Sequence, residues 1–290
     1  MVELVDVTEQ RQTIDDRRRR AAWLGLLAYG PEAIAVGQCA LALHGVAGLP
    51  MQIQPQVALP ARRALRPRDG IRVRYFDDFA TVRVAGRAVA CLDDALVQAL
   101  PELDRVRAVA VLDNVVNRGL IDDDGLAAVR AKLRGRRGAA AVDRWWELVD
   151  GRSESPLETE ARLRCVDGGI PPDDLQVRIL DAAGRFVARA DLGWRLRDGR
   201  WLLVEIDGRE VHDAPEALYA DRARQNRLLA TGQVDLLRFV RADFRRSAFV
   251  ATIRAHLAAD AARDPHAPTR RPDGGRPSPG ARIRIGNRAS

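Results

Sequence analysis

Apolar side chains recur at helical spacing through Ala22, Leu26 and Tyr29, with Trp23 and Leu27 beside them. This predicts a helix over 8–29, ended by Gly30-Pro31. GQCALALHGV at 37–46 reads as a short buried helix. Short strands are expected near 56–60 and 71–76, followed by a turn and then TVRVAGRAVA. From Leu92 the pattern is helical again, over LDDALVQAL and then 102–117, 123–133 and 139–149. Residues 1–150 are therefore expected to form a mostly helical domain. DGRSESP at 150–156 concentrates turn-forming residues and marks a boundary.

Beyond it the pattern changes. A helix is expected over 156–168 and strands over 175–181, 185–194 and 201–207. A helix from Pro215 to about 230, a strand over 234–240 and a helix over 242–262 follow. The order α-β-β-β-α-β-α makes residues 151–262 an α+β domain. Residues 263–290 show no apolar period and are expected to be a disordered basic tail.

The segment FVARADLGWRLRDGRWLLVEIDG at 186–208 reads as a hairpin. Glu205 and Asp207 are two apart on its second strand and project to one side. A two-residue turn at Asp198-Gly199 would put Asp191 opposite Ile206, on the wrong face. A three-residue loop, Arg197-Asp198-Gly199, puts Asp191 opposite Glu205 and uses Gly199 where φ is positive. Three carboxylates can thus share one face. They are either charges on a solvated sheet or ligands of a cation. The apolar run WLLV ahead of the two acids favours the cation, and oxygen-only ligands suit Mg²⁺ or Mn²⁺.

Glu158 has two readings. With Ser155 at the N-cap and Pro156 at N1 it completes a capping box, or it edges the acidic site, with Glu160 as the alternative acid. His212, five residues beyond Asp207, is placed for general acid or base chemistry. Asp221 and Arg224 can pair on the helix that follows; Arg222, Arg224 and Arg227 can instead bind phosphates. No P-loop, nucleophile-elbow or dinucleotide fingerprint occurs.

Composition narrows the field. With 47% hydrophobic and 30% charged residues the chain can bury a core, which excludes a wholly disordered protein. No apolar run is long enough to span a membrane. The N-terminal MVELVDVTEQRQTIDD is acidic and lacks an apolar stretch, so no secretory leader is expected. Cys39, Cys91 and Cys165 lie far apart, without metal spacing, and fit the reducing cytoplasm. Of the net +7, residues 263–290 carry +5, from seven arginines and two aspartates, so the body is nearly neutral. Arg17-Arg18-Arg19-Arg20 wraps round the first helix and reads as a solvated face.

In order, SPLETEAR, Gln176-Val177, RFVARADLGW, LVEIDGREVH and DRARQNRLLATGQVDLLRF resemble the motifs of a bacterial domain of unknown function similar to the very-short-patch-repair (Vsr) endonucleases of the PD-(D/E)XK superfamily. The resemblance covers residues 153–243. It implies a restriction-endonuclease-like core, Asp191 and Glu205 as Mg²⁺ ligands and Glu158 as an accessory acid. Asp207 stands where many members carry lysine, and the repair endonucleases use a nearby histidine, a role that falls to His212. GPEAIAVGQCALALHGVAGLP and VAGRAVACLDDALVQAL resemble the antitoxin-like region of the AbiEi family; the chain ahead of them is too short for the winged helix that usually opens those relatives. Together these imply a DNA endonuclease of repair or defence, or a non-catalytic antitoxin-like regulator that binds DNA or a protein partner.

Overall fold

The computed structural model describes residues 13–60, 70–76, 78–181, 183–208, 232–245, 248–263 and 282–284. Its chain divides into two units, Met1–Gly151 and Arg152–Ser290. Both combine helices with a mixed sheet, so the protein is of mixed α and β class.

In the first unit, α1 (Ile14–Tyr29) begins at Thr13. The Thr13 hydroxyl accepts the Asp16 N–H at 3.1 Å and the Asp16 carboxylate accepts the Thr13 N–H at 3.0 Å, a reciprocal cap. The helix buries Ala22, Leu26 and Tyr29, whereas Leu27 is 68% exposed. Of the four arginines, Arg18 turns inward to the Pro50 carbonyl at 2.8 Å, and the other three are exposed. After β1 (Ile34–Ala35) come α2 (Gly37–Leu43), β2 (Gln56–Ala58), β3 (Arg72–Arg74), β4 (Thr81–Val84) and β5 (Arg87–Ala90). The β4–β5 hairpin turns at Ala85 and Gly86, with φ of +46° and +77°.

These strands make a sheet in the order β3-β2-β1-β5-β4. The strands expected near 56–60 and 71–76 are β2 and β3, and helices still make up most of the unit's regular structure. Pairing through β1, a two-residue strand that carries no alternation of its own, joins the strands into one sheet. The helices α3 (Leu92–Ala99), α4 (Arg105–Asn117), α5 (Asp123–Leu133) and α6 (Ala139–Trp145) complete the unit. Asp104 and Asp122 cap α4 and α5. One apolar core runs from Ala22 to Val142.

In the second unit, α7 (Pro156–Asp167) is followed by β6 (Asp174–Leu180), β7 (Phe186–Arg195) and β8 (Trp201–Asp207). Then come β9 (Val234–Val240), a 3-10 turn, α8 (Ala248–Arg263) and β10 (Arg282–Arg284). The sheet order is β10-β6-β7-β8-β9, antiparallel across β6-β7-β8 and parallel for β8-β9 and β10-β6. The expectation of a wholly disordered tail is thus corrected at 282–284, where main-chain pairing to β6 needs no apolar pattern.

On β8, Leu202, Val204 and Ile206 enter a cluster with Leu157, Ala161, Phe249 and Ile253 of α7 and α8. Trp201 and Leu203 enter another with Val177, Ile179, Ala188 and Ala190. Alternate side chains leave opposite faces, so the clusters lie on opposite sides of the sheet. That is why β8 reads as an almost unbroken apolar run.

Candidate functional site

The β7–β8 loop spans residues 197–199. Leu196 N–H donates to the Arg200 carbonyl at 2.8 Å, and Gly199 adopts φ +85°. Pairing then runs from Arg195↔Trp201 to Leu192↔Val204 and stops. One step further this register sets Asp191 against Glu205. There the two strands part, and the Ile206 N–H donates at 2.7 Å to Asp191 Oδ2, a side chain taking a ladder donor. Burial pushes the Asp191 carboxyl up to about 7, and the Glu158 and Glu205 charges add to the rise.

Glu158 comes from the first turn of α7. Ser155 Oγ accepts the Glu158 N–H at 3.2 Å, so the cap forms. The returning carboxylate accepts the Glu154 N–H at 2.8 Å, one residue ahead of the N-cap. The same Oε2 accepts Gln176 Nε2 at 2.8 Å. Glu158 is 8% exposed, and burial raises its pKa against those hydrogen bonds. Capping and membership of the acidic group therefore coexist in one residue. Glu160 instead pairs with Arg164 at 2.7 Å.

Gln176 was legible only as part of a motif, and its conformation is unusual. It sits within β6 at φ +53°, a left-handed backbone that side-chain-bearing residues rarely adopt. With Nε2 committed to Glu158, its buried Oε1 has no hydrogen-bond partner among the described residues. Leu175↔Leu192 and Val177↔Ala190 flank the level shared by Gln176 and Asp191. Leu175 and Leu192 face α7 and α8, while Val177 and Ala190 face the other side. Both strands therefore change face at this level.

Glu205 is 9% exposed and Asp207 lies further out. Arg238 of β9 reaches both, its Nε 3.3 Å from Glu205 Oε2 and its Nη2 3.2 Å from Asp207 Oδ2. Arg189 pairs with Glu154 at 2.6 Å and pulls down on both Asp191 and Glu158. Sequence reasoning missed both arginines. The only available signal was their place on strands flanking the acidic ones.

His212, Asp221, Arg222, Arg224 and Arg227 lie outside the described residues. Among those described, no three His, Cys, Asp or Glu side chains form a ready-made metal cage. The donors still suit a hard cation. They are carboxylate oxygens and one unpartnered amide oxygen, and Mg²⁺ commonly takes one or two carboxylates, completing its shell with water and phosphate. Among the described residues no helix is long and apolar enough to cross a membrane.

The chain is 32% identical over 168 residues to the uncharacterized protein Rv2248 of Mycobacterium tuberculosis strain ATCC 25618 / H37Rv. It is equally similar to the uncharacterized protein MT2308 of strain CDC 1551 / Oshkosh. The alignment takes in 58% of this chain and 60% of each relative, so the chain spans about three-fifths of their length. No protein-family model matches the chain. No solved structure matches it at a significant level.

Proposed function

We propose that the second unit is a Mg²⁺- or Mn²⁺-dependent DNA endonuclease that hydrolyses phosphodiester bonds. One observation carries the reading: where β7 and β8 part, Asp191 accepts the Ile206 N–H, and burial together with the charges of Glu158 and Glu205 raises its carboxyl to about 7. Buried carboxylates repel one another, and a cation or a proton relieves them. The order of elements, with β6-β7-β8 antiparallel and β9 parallel to β8, supports a restriction-endonuclease-like core.

Asp191 and Glu205 hold the cation, and Glu158 adds charge beside it. When bound, the metal polarises a phosphodiester oxygen and lowers the pKa of a water. His212, or Asp207 through water, carries the proton away. Arg222, Arg224, Arg227 and the basic tail neutralise DNA phosphates. The free thiols of Cys39, Cys91 and Cys165 support a cytoplasmic setting. The first unit is read as antitoxin-like, in a repair or defence context.

A second reading has its own observation. Arg238 already neutralises Glu205 and Asp207, as in a degenerate nuclease fold retained for binding. A non-catalytic regulator of DNA or a protein partner would look like this.

Supercoiled plasmid separates the two. With Mg²⁺ or Mn²⁺ the purified chain should nick, EDTA should abolish nicking, and Asp191→Asn or Glu205→Gln should slow it by about a hundredfold or more. Nicking that survives both substitutions would overturn the enzymatic reading. DNA binding with no metal-dependent nicking would favour the regulator.

A further inference from the structure

Glu205 and Asp207 leave the same face of β8, and the register partner of Glu205 on β9 is Arg238. One guanidinium serves both carboxylates, at 3.3 Å from Glu205 and 3.2 and 3.4 Å from the two oxygens of Asp207. The two acids differ in environment. The Glu205 side chain is 12% exposed and that of Asp207 is 42% exposed. Leaving the inner carboxylate unpaired is therefore expensive, whereas water screens the outer one. Arginine stays charged at any ordinary pH, so proton loss cannot remove this partner.

A divalent cation taken up at Glu205 must displace the guanidinium or sit beside it against repulsion. Asp207 lies on the solvent side of the pair and can keep Arg238 tethered after Glu205 lets go. The freed donors then match a phosphate, whose oxygens suit the planar guanidinium fork. Arg189 is paired with Glu154, outside the Glu205–Asp207 pair.

We propose that Arg238 is an exchangeable counter-ion. It neutralises Glu205 in the metal-free protein, yields that carboxylate to the incoming divalent cation, and turns to the phosphodiester of the bound nucleic acid. This rests on the nuclease reading. Metal uptake and phosphate contact are then coupled through one side chain, and the acidic site is held together without metal.

The test uses the full chain, its Arg238→Gln and Arg238→Lys variants, and Mn²⁺ alone in calorimetry. Arg238→Gln removes the competitor, so Mn²⁺ should bind about five- to tenfold more tightly while nicking at saturating Mn²⁺ falls about tenfold or more. Lysine keeps the charge without the fork, so Arg238→Lys should bind Mn²⁺ with an affinity between the other two. In the wild type, Mg²⁺ should shift the Arg238 Nε–H resonance as the pair opens. Unchanged or weaker Mn²⁺ affinity in Arg238→Gln, or an unmoved resonance, would overturn the proposal. If Arg238→Gln does not fold, Arg238→Lys decides, and affinity equal to or below the wild type is then the overturning result. A wild type that binds Mn²⁺ and nicks, with variants of unaltered affinity, removes only the counter-ion. A wild type that takes up no Mn²⁺ removes the nuclease reading as well.

Discussion

Gln176 and Asp191 meet across β6 and β7 at the level where both strands change the face to which their side chains point. On β6 the change is made by the left-handed backbone of Gln176. On β7 it coincides with the separation from β8, which frees Asp191 to bond the Ile206 amide. The candidate site is thus built on a local break in strand regularity.

That break can be weighed by substitution. Gln176→Ala loses the bond to Glu158 and keeps a side chain at φ +53°. Gln176→Gly loses the same bond but relieves the backbone. Urea denaturation should find the glycine variant more stable than the alanine variant by about 1 kcal/mol. The reverse order would show that the backbone there is not left-handed.

The Asp191 shift sets a pH dependence. Folded Asp191 keeps its proton up to about 7, whereas its ordinary value is 3.8. Between those values the folded state binds more protons, so stability falls as pH rises, at a slope below about 1.4 kcal/mol per pH unit given its partial exposure. Denaturation midpoints in EDTA should decline from pH 4 to pH 7, and Asp191→Asn should flatten the decline. Mg²⁺ favours the ionised form, so its stabilising effect should be larger at pH 8 than at pH 5.

Removing residues 264–290 takes away six arginines and two aspartates, a net +4, together with β10. If the protein binds DNA, the logarithm of affinity should depend less steeply on salt. Uncovering the β6 edge should also lower stability slightly and raise the tendency to self-associate, which light scattering would detect. An unaltered salt slope would show that the tail makes no phosphate contact.

The thiols should be sluggish. Burial raises Cys39 and Cys165 to about 11 and 12. Cys91 reaches about 11 through burial and its bond to Asp94. Iodoacetamide at pH 7.5 should modify the native protein slowly, and Asp94→Asn should hasten reaction at Cys91 alone. Rapid modification of Cys39 would contradict its burial.

Gly48 tests the packing of the first unit. A Cβ there would lie 2.8 Å from the Val111 nitrogen and 2.9 Å from the Ala110 carbonyl carbon, at φ +93°. Backbone of α4 cannot yield cheaply, so Gly48→Ala should cost more than about 2 kcal/mol in chemical denaturation.

Local rules that act within a few residues were legible in the sequence. The three-residue loop ending at Gly199, the Ser155 cap and the apolar run of β8 follow from spacing and turn chemistry. The register from Arg195↔Trp201 to Leu192↔Val204 depends on that loop and was legible with it. The strands near 56–60 and 71–76 were legible as well, but Ile34–Ala35, which joins β2 to β5, was not, because two residues are too few to carry alternation. Arg238 escaped notice because its partnership is set by parallel pairing to β8 across a long connection. The face change at Gln176 has no local signal, since the residue is not a glycine.

The pairing of Arg282 with Arg178 also orders events during synthesis. More than a hundred residues separate the two, so β6 leaves the ribosome long before its parallel neighbour exists. Until Arg282–Arg284 is made, the β6 margin lacks the strand that covers it in the finished fold. Arg282–Arg284 can add to that margin only after β6, β7, β8 and β9 have all been synthesised.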